Sequence, residues 1–177
     1  MSETIETERL LLRRPRLEDV DDMVELVGDE EVQRWIGGKP GGRDAAVESV
    51  ERWIARWERN GVGQFAVVLD GHAIGRVGLV VWDDRTWSTS SYEDAGEHAR
   101  TELGWALARR HWGRGYATEA ARAAREWAHD ERGIDGLISL IAPGNVRSRR
   151  VAEKLGATAD GRVETDDGPA DVWVHPR

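Results

Sequence analysis

The sequence predicts a mixed α/β domain, a central sheet assembled largely from hairpins with helices packed on its faces. Three patterns carry that expectation. Segments of strand length stand in pairs around tight turns, at residues 65–69 with 73–82 and at 158–163 with 170–174. Three amphipathic helical patterns lie together between Leu17 and Arg59. Two strand-then-helix units follow, at 100–129 and 137–155. The resulting order is strand, three helices, three strands, helix, strand, helix, two strands. About seven strands in this order make a mixed, mostly antiparallel sheet flanked by helices.

Each element has a local reason. The first strand is expected at residues 10–14, closed by Pro15. Val20, Met23, Val24 and Val27 recur at helical spacing over 17–27, and Asp19, Asp21 and Asp22 near the start suit the helix dipole. A short helix at 29–35 ends at Gly37-Gly38. Residues 37–42, rich in glycine and proline, form a turned or mobile loop. Val47, Val50, Ile54 and Trp57 set a third helix over 45–59, stopped by Asn60-Gly61. Asp70-Gly71 is a strong hairpin signal between the next two strands. Residues 83–100 read as a long polar loop, and loops of that length in a compact domain are commonly functional or disordered. Strand 100–108 feeds a basic turn and a helix at 118–129. An apolar strand at 137–142 turns at Pro143-Gly144 into a helix at 145–155, stopped by Gly156. The last hairpin closes around Asp166-Asp167-Gly168.

The chain of 177 residues reads as one domain, residues 1–177, long enough to bury a core. Its net charge of −8 gives nucleic acid no general electrostatic support. No apolar run reaches transmembrane length, and the opening MSETIETERL lacks the apolar stretch of a secretory signal. The expectation is therefore a cytoplasmic protein with neither nucleic acid nor membrane as partner, a monomer or a homodimer. The absence of cysteine excludes disulfides, thiolate metal sites and a cysteine-bound acyl intermediate. No metal is expected.

The most informative stretch is Leu103 to Glu119. An apolar strand runs into Arg109, Arg110, Trp112, Gly113, Arg114 and Gly115, and a helix pattern begins at Tyr116, Ala117 and Thr118. A helix N-terminus presents main-chain N–H groups without partners, and glycines let that backbone approach a ligand. The stretch reads either as a phosphate site or as a plain glycine turn. It has neither the Walker spacing nor the dinucleotide fingerprint, since the sixth position from Gly113 is Thr118.

Trp112-x-x-Gly115-x-Ala117 resembles the acetyl-CoA signature of the GNAT acetyltransferases, Gln/Arg-x-x-Gly-x-Gly/Ala, with Trp112 in place of the usual Gln or Arg. A second register, Arg110-x-x-Gly113-x-Gly115, fits the bare motif but not the helix start. The run Trp112-Gly113-Arg114-Gly115-Tyr116-Ala117-Thr118-Glu119-Ala120 is similar to the branch containing the RimJ/RimL ribosomal-protein N-acetyltransferases. Three further stretches carry the resemblance: Thr7-x-Arg9-Leu10-x-Leu12-Arg13, Asp29-x-Glu31-Val32, and Asn145-x-x-Ser148-x-x-Val151-x-x-Lys154-Leu155-Gly156. The resemblance implies the GNAT fold, its sheet splayed between the fourth and fifth strands, and acetyl-CoA as co-substrate.

It also implies roles. Main-chain groups of Leu107 and Arg109 would hold the pantetheine and the thioester carbonyl, the Leu107 N–H facing the developing oxyanion. The diphosphate would lie on N–H groups of residues 112–117, with charge from Arg114 and Arg110. Asn145, Ser148 and Lys154 are further coenzyme contacts; Asn145 is equally a helix cap, and Arg149 and Lys154 are either phosphate ligands or solvent-facing. An ammonium must lose a proton before it attacks. Glu102 is the first candidate, as base or as a carboxylate that only binds the amine, ahead of His98, Glu97 and Glu93. The tyrosine that many of these enzymes place seven residues after the asparagine is absent, the position being Ala152. Ser148 is then the candidate partner of the leaving thiolate.

The acceptor is expected across the sheet. Trp35, Trp87, Tyr92 and Glu102 are the candidate substrate contacts, while Trp53 and Trp57, on a helix, read as core. Aromatic rings with carboxylates would suit a cationic amine. The acceptor is a protein N-terminus, a polyamine or an aminoglycoside-like amine; the remaining alternative is a non-catalytic acyl-CoA-binding module.

Overall fold

The computed structural model describes residues 3–177; Met1 and Ser2, at the head of the segment expected to lack a secretory signal, lie outside the described residues. The strands are β1 (Thr4–Glu6), β2 (Leu11–Arg13), β3 (Gln64–Leu69), β4 (His72–Asp83), β5 (Ser88–Thr89), β6 (Ala99–Leu107), β7 (Ile138–Ile141), β8 (Thr158–Thr165) and β9 (Gly168–Val174). The helices are α1 (Val20–Gly28), α2 (Glu30–Ile36), α3 (Arg43–Asn60), α4 (Tyr92–Ala95), α5 (Tyr116–Asp130) and α6 (Val146–Lys154). The sheet order is β1-β2-β3-β4-β6-β7-β9-β8, with β5 beside β4. Every pairing is antiparallel except β6 with β7. The expected architecture is present, with nine strands rather than about seven.

Alternation along the strands divides the core. Phe65, Val67, Leu103 and Leu107 face α5; Ala66, Val68 and Ala106 face α1 and α3 with Met23, Leu26 and Val50. Ala120, Ala121, Ala124 and Ala128 are fully buried. Their small side chains let α5 lie close on the sheet. Trp57 is core as expected, its indole donating to the Gln64 carbonyl at 2.9 Å and its ring packed on Phe65 and Trp127. The hairpin at Asp70-Gly71 has both turn residues at positive φ, 50° and 84°, as a primed two-residue turn requires.

Residues 83–100 are not a structureless loop. They hold β5, α4 and a 3-10 turn at Gly96–His98. Side chains fix them: Asp83 binds Arg85, Asp84 binds His98 and Arg100, and Ser91 caps α4. Among the described residues no helix is long and apolar enough to cross a membrane.

The feature that positions the site is the β6–β7 junction. β6 pairs with β4 along its whole length, from Gly75 opposite Leu107 to Asp83 opposite Ala99. With β7 it shares one register position, Glu102 opposite Ile138. The Ser139 hydroxyl reaches the Leu103 carbonyl at 2.6 Å, and beyond that point the strands part.

Candidate active site

Antiparallel pairs alternate between hydrogen-bonded and non-bonded positions. The Ala108 N–H donates to Ile74 at 2.9 Å, which makes Leu107 opposite Gly75 a non-bonded position. The main-chain N–H and C=O of Leu107, and by the same alternation of Trp105, therefore point away from β4 into the gap. Two cavities meet there. Trp35, Ile36, Trp105, Asn145 and Ser148 line both.

The first cavity, about 340 Å³, runs from the gap to the start of α5. Gly113 and Gly115 take left-handed φ of 73° and 83°, which turns the chain sharply out of the 3-10 turn at Arg109–His111. Gly115 is the N-cap of α5 and offers no side chain to close it. The result is six consecutive main-chain N–H groups, residues 113–118, with no acceptor among the described residues. The sequence places this row at 112–117; the Trp112 N–H is instead satisfied by Arg109 at 3.1 Å. Unpaired donors at a helix N-terminus, with the dipole behind them, attract anions.

Basic side chains complete this cavity, the expected Lys154 among them but neither Arg110 nor Arg114. Arg109 pairs with Asp29 at 2.9 Å and Arg110 with Glu25, so both guanidinium groups turn toward α1 and α2. Arg114 is exposed, its carbonyl accepting from Arg9 at 3.0 Å. The lining cations are Arg147, Arg150 and Lys154 of α6. Their spacing of three and then four residues puts them on one helix face, a signal present in the sequence. Arg149 pairs with Glu153 on another face. His111 also lines the cavity. Arg110 Nε donates to its Nε2 at 3.0 Å, which leaves Nδ1 as a buried donor with no partner. Burial and the charges of Arg110 and Arg114 hold this imidazole below its ordinary pKa.

Trp112 and Tyr116 form part of the wall. The Trp112 indole donates to the Leu107 carbonyl at 2.8 Å, and Arg147 stacks over its ring at 4.7 Å. Thr7 and Arg9, in the motif that opens the chain, fasten the row from behind. Glu119, in the first turn of α5, accepts from the Thr7 hydroxyl at 2.6 Å and the Arg9 N–H at 2.9 Å, and Arg9 stacks over Tyr116 at 4.6 Å.

Asn145 caps α6 through its oxygen, accepting from the Ser148 N–H at 3.1 Å, and its Nδ2 donates to Ser148 Oγ at 3.0 Å. This orients the serine hydroxyl at the junction of the cavities. Ala152, where a tyrosine would stand, is fully buried against Ile141 and Ala157.

The second cavity, about 460 Å³, lies on the α1–α3 side of the sheet. Glu102, Gly104, Arg76, Val80 and Trp82 line it, on one sheet face because they occupy matched alternate positions of β4 and β6. Glu102 Oε2 accepts from the Trp82 indole at 2.7 Å. Its Oε1 leans over Gly104, where a Cβ would sit 3.2 Å away. Burial pushes this carboxyl above the ordinary carboxylate range, opposed by the Trp82 hydrogen bond and the charges of Arg76 and Arg56. Trp35 reaches both cavities, and Trp53, read as core, also borders this one.

Trp87 and Tyr92 are not brought here. Trp87 sits in the turn before β5 at φ 53°, and the Tyr92 hydroxyl bonds Thr101 at 2.9 Å with its ring against the α5-side core. His98 is engaged by Asp84 at 3.0 Å, and neither it, Glu93 nor Glu97 lines either cavity. Among the described residues no His, Asp and Glu group is placed to hold a metal.

Comparison with known proteins agrees with this geometry. Residues 9–158 match the acetyltransferase (GNAT) domain model. YkkB of Bacillus subtilis (strain 168) is 54% identical over 72 residues, which span 41% of this chain and 42% of that protein. The uncharacterized N-acetyltransferase YnaD of the same strain is 28% identical over 89% of this chain and 84% of its own. An acetyltransferase structure from Agrobacterium tumefaciens str. C58 superposes with a TM-score of 0.80 at 28% identity, covering 100% of this chain and 96% of that one. The chain belongs to the GNAT family of acetyl-CoA-dependent N-acetyltransferases.

Proposed function

We propose that this chain transfers acetyl from acetyl-CoA to a primary amine by direct attack in a ternary complex. The observation that carries this reading is the row of unpaired N–H groups at 113–118, opening onto one cavity that meets a second, holding Glu102, at the β6–β7 gap. The row suits a diphosphate, and Arg147, Arg150 and Lys154 suit the remaining phosphate charge. The gap leaves the Leu107 N–H for the thioester oxygen.

In this reading Glu102, its basicity raised by burial, takes a proton from the bound ammonium directly or through a water. The neutral nitrogen attacks the thioester carbon, and the Leu107 N–H stabilises the oxyanion. The C–S bond breaks as the intermediate collapses and the nitrogen loses its second proton. The thiolate is held by Ser148 Oγ and leaves as the thiol, so the net change is one amide, one thiol and one released proton.

For the acceptor, the run Trp112 to Ala120 supports a protein N-terminus, through its likeness to the ribosomal-protein branch. A small amine is favoured by one structural observation: the turn at Asp166-Asp167 closes over Gly37, where an added Cβ would lie 2.3 Å from the Asp167 Cβ. This roofs the acceptor cavity. Thiol release from acetyl-CoA across peptides and small amines, with mass detection of the acetylated product, tests the reading. Acetylated product from an amine supports it; tight coenzyme binding without turnover of any amine points to a binding module instead.

A further inference from the structure

The acceptor cavity is not the carboxylate-rich pocket the sequence suggested. Its lining carries Arg34, Arg52, Arg56 and Arg76 against two acids, Glu102 and Asp167. Arg34 and Arg52 are exposed at the mouth, while Arg56 and Arg76 lie within. Arg56 donates to the Gln64 side chain at 3.0 Å and has no acid partner among the described residues. The Arg76 guanidinium makes no hydrogen bond or ion pair with any described residue. It stands over the Trp53 ring at 5.8 Å. A guanidinium carries five donors, and withdrawing it from water without a carboxylate is costly. Burial and repulsion from Arg56, opposed by the more distant charge of Glu102, bring the Arg76 pKa down to about 10.

Strand register places this cation relative to the base. Arg76, Gly78 and Val80 stand opposite Ala106, Gly104 and Glu102. Arg76 and Glu102 thus sit on one face, at opposite ends of a floor whose middle is the Gly78–Gly104 pair. Glu102 Oε1 leans over Gly104 and the Gly63 carbonyl lies against Gly78, while Arg76, Gly104 and Glu102 line the same cavity. The two ends differ in sign: the Glu102 carboxylate stands level with Ile138, where β6 and β7 still pair, and Arg76 stands opposite Ala106, where they have parted.

We propose that the acceptor is an amine that also carries an acid group, a carboxylate or phosphate, seated against Arg76 and Arg56 while its nitrogen reaches Glu102. The inference rests on the acetyl-transfer reading and narrows its substrate class. An unpaired, desolvated arginine gains most from a charged acceptor of hydrogen bonds. A polycation such as a polyamine would place positive charge beside these arginines, and the site disfavours it. Two sources share the chemistry: a free amino acid, and a peptide whose first residues are acidic.

The test pairs acids with neutral isosteres on the whole protein. Amino acids are compared with their amides of the same skeleton, and peptides beginning with Asp or Glu with those beginning with Asn or Gln. Affinity is read by calorimetry in the presence of CoA, and turnover by thiol release. Wild-type protein is expected to favour the acid of a pair by about tenfold or more in affinity and in kcat/KM. Arg76→Leu is expected to erase that preference, Arg76→Lys to restore part of it, and KM for acetyl-CoA to stay unchanged in both. Preference confined to the amino acid pairs, or to the peptide pairs, identifies the source. A preference for the acids in binding that Arg76→Leu removes, without turnover of any amine, supports the acid seat and overturns the transfer reading. Turnover with no preference, or a preference for polycations, overturns the acid seat and leaves the transfer reading standing. Neither binding preference nor turnover overturns both. If Arg76→Leu does not fold, Arg56→Leu read against the same pairs decides the matter.

Discussion

The Trp82 indole N–H donates to Glu102 Oε2 at 2.7 Å, a diagonal contact across two strands that pins one carboxylate oxygen and leaves the other over the bare backbone of Gly104. The arrangement fixes the carboxylate without neutralising it. Burial raises its pKa, opposed by the Trp82 hydrogen bond and then by the charges of Arg76 and Arg56.

Glu102→Gln keeps an oxygen for Trp82 and removes the proton acceptor. Loss of kcat/KM by roughly 10²–10⁴-fold is expected, with the rise of rate with pH that belongs to Glu102 lost from the profile. Stability should move the other way. A carboxyl whose folded pKa is raised stabilises most in acid and loses that contribution as pH rises through the folded value. As pH rises that contribution is lost, and the variant, which carries no ionisable group there, should then melt at or above the wild-type temperature. An unchanged pH–rate profile removes Glu102 as base.

Ser148→Ala leaves the Asn145 cap on the Ser148 N–H intact and deletes only the hydroxyl. Turnover should fall by about tenfold or more, while KM for acetyl-CoA changes little. Steady-state kinetics separate the two, and full turnover in the variant rules out a role for the hydroxyl in thiolate release.

His175 couples stability to pH. Its Nε2 lies 2.8 Å from Ser139 Oγ beneath the β6–β7 junction. Burial, with Arg125 and His129 nearby, brings its pKa down from 6.5 to about 4. Between those values the unfolded chain binds a proton that the folded chain refuses, so stability is full above pH 6.5 and declines as pH falls toward 4. The loss approaches about 3 kcal/mol, a drop in Tm of roughly 10 °C. His175→Gln should flatten this dependence; an equal slope in the variant assigns the acid sensitivity elsewhere.

Local pattern carried much of the fold. Helical spacing located α1, α3, α5 and α6 to within three residues, and Asp70-Gly71 marked its hairpin. β1 and β5 were missed because strands of three and two residues are too short to show alternation. Residues 83–100 looked irregular because ion pairs and a serine cap order them, and these leave no period. The row of unpaired N–H groups was legible, within one residue, because glycines and a helix start are local. The arginines beside it were not, since Asp29 and Glu25, which take Arg109 and Arg110 away, are distant in sequence. The cavity around Glu102 was least legible. Arg56, Arg76 and Glu102 meet only through strand register and helix packing, and sequence proximity pointed instead to Trp87 and Tyr92.

The central claim is that main-chain amides of residues 113–118 seat the coenzyme's diphosphate. Titrating isotope-labelled protein with CoA while following its backbone amide resonances addresses this most directly. The account predicts that the amides of Gly113, Arg114, Gly115, Tyr116, Ala117 and Thr118 shift together and saturate at one affinity. Saturable CoA binding that leaves those six resonances in place would contradict it.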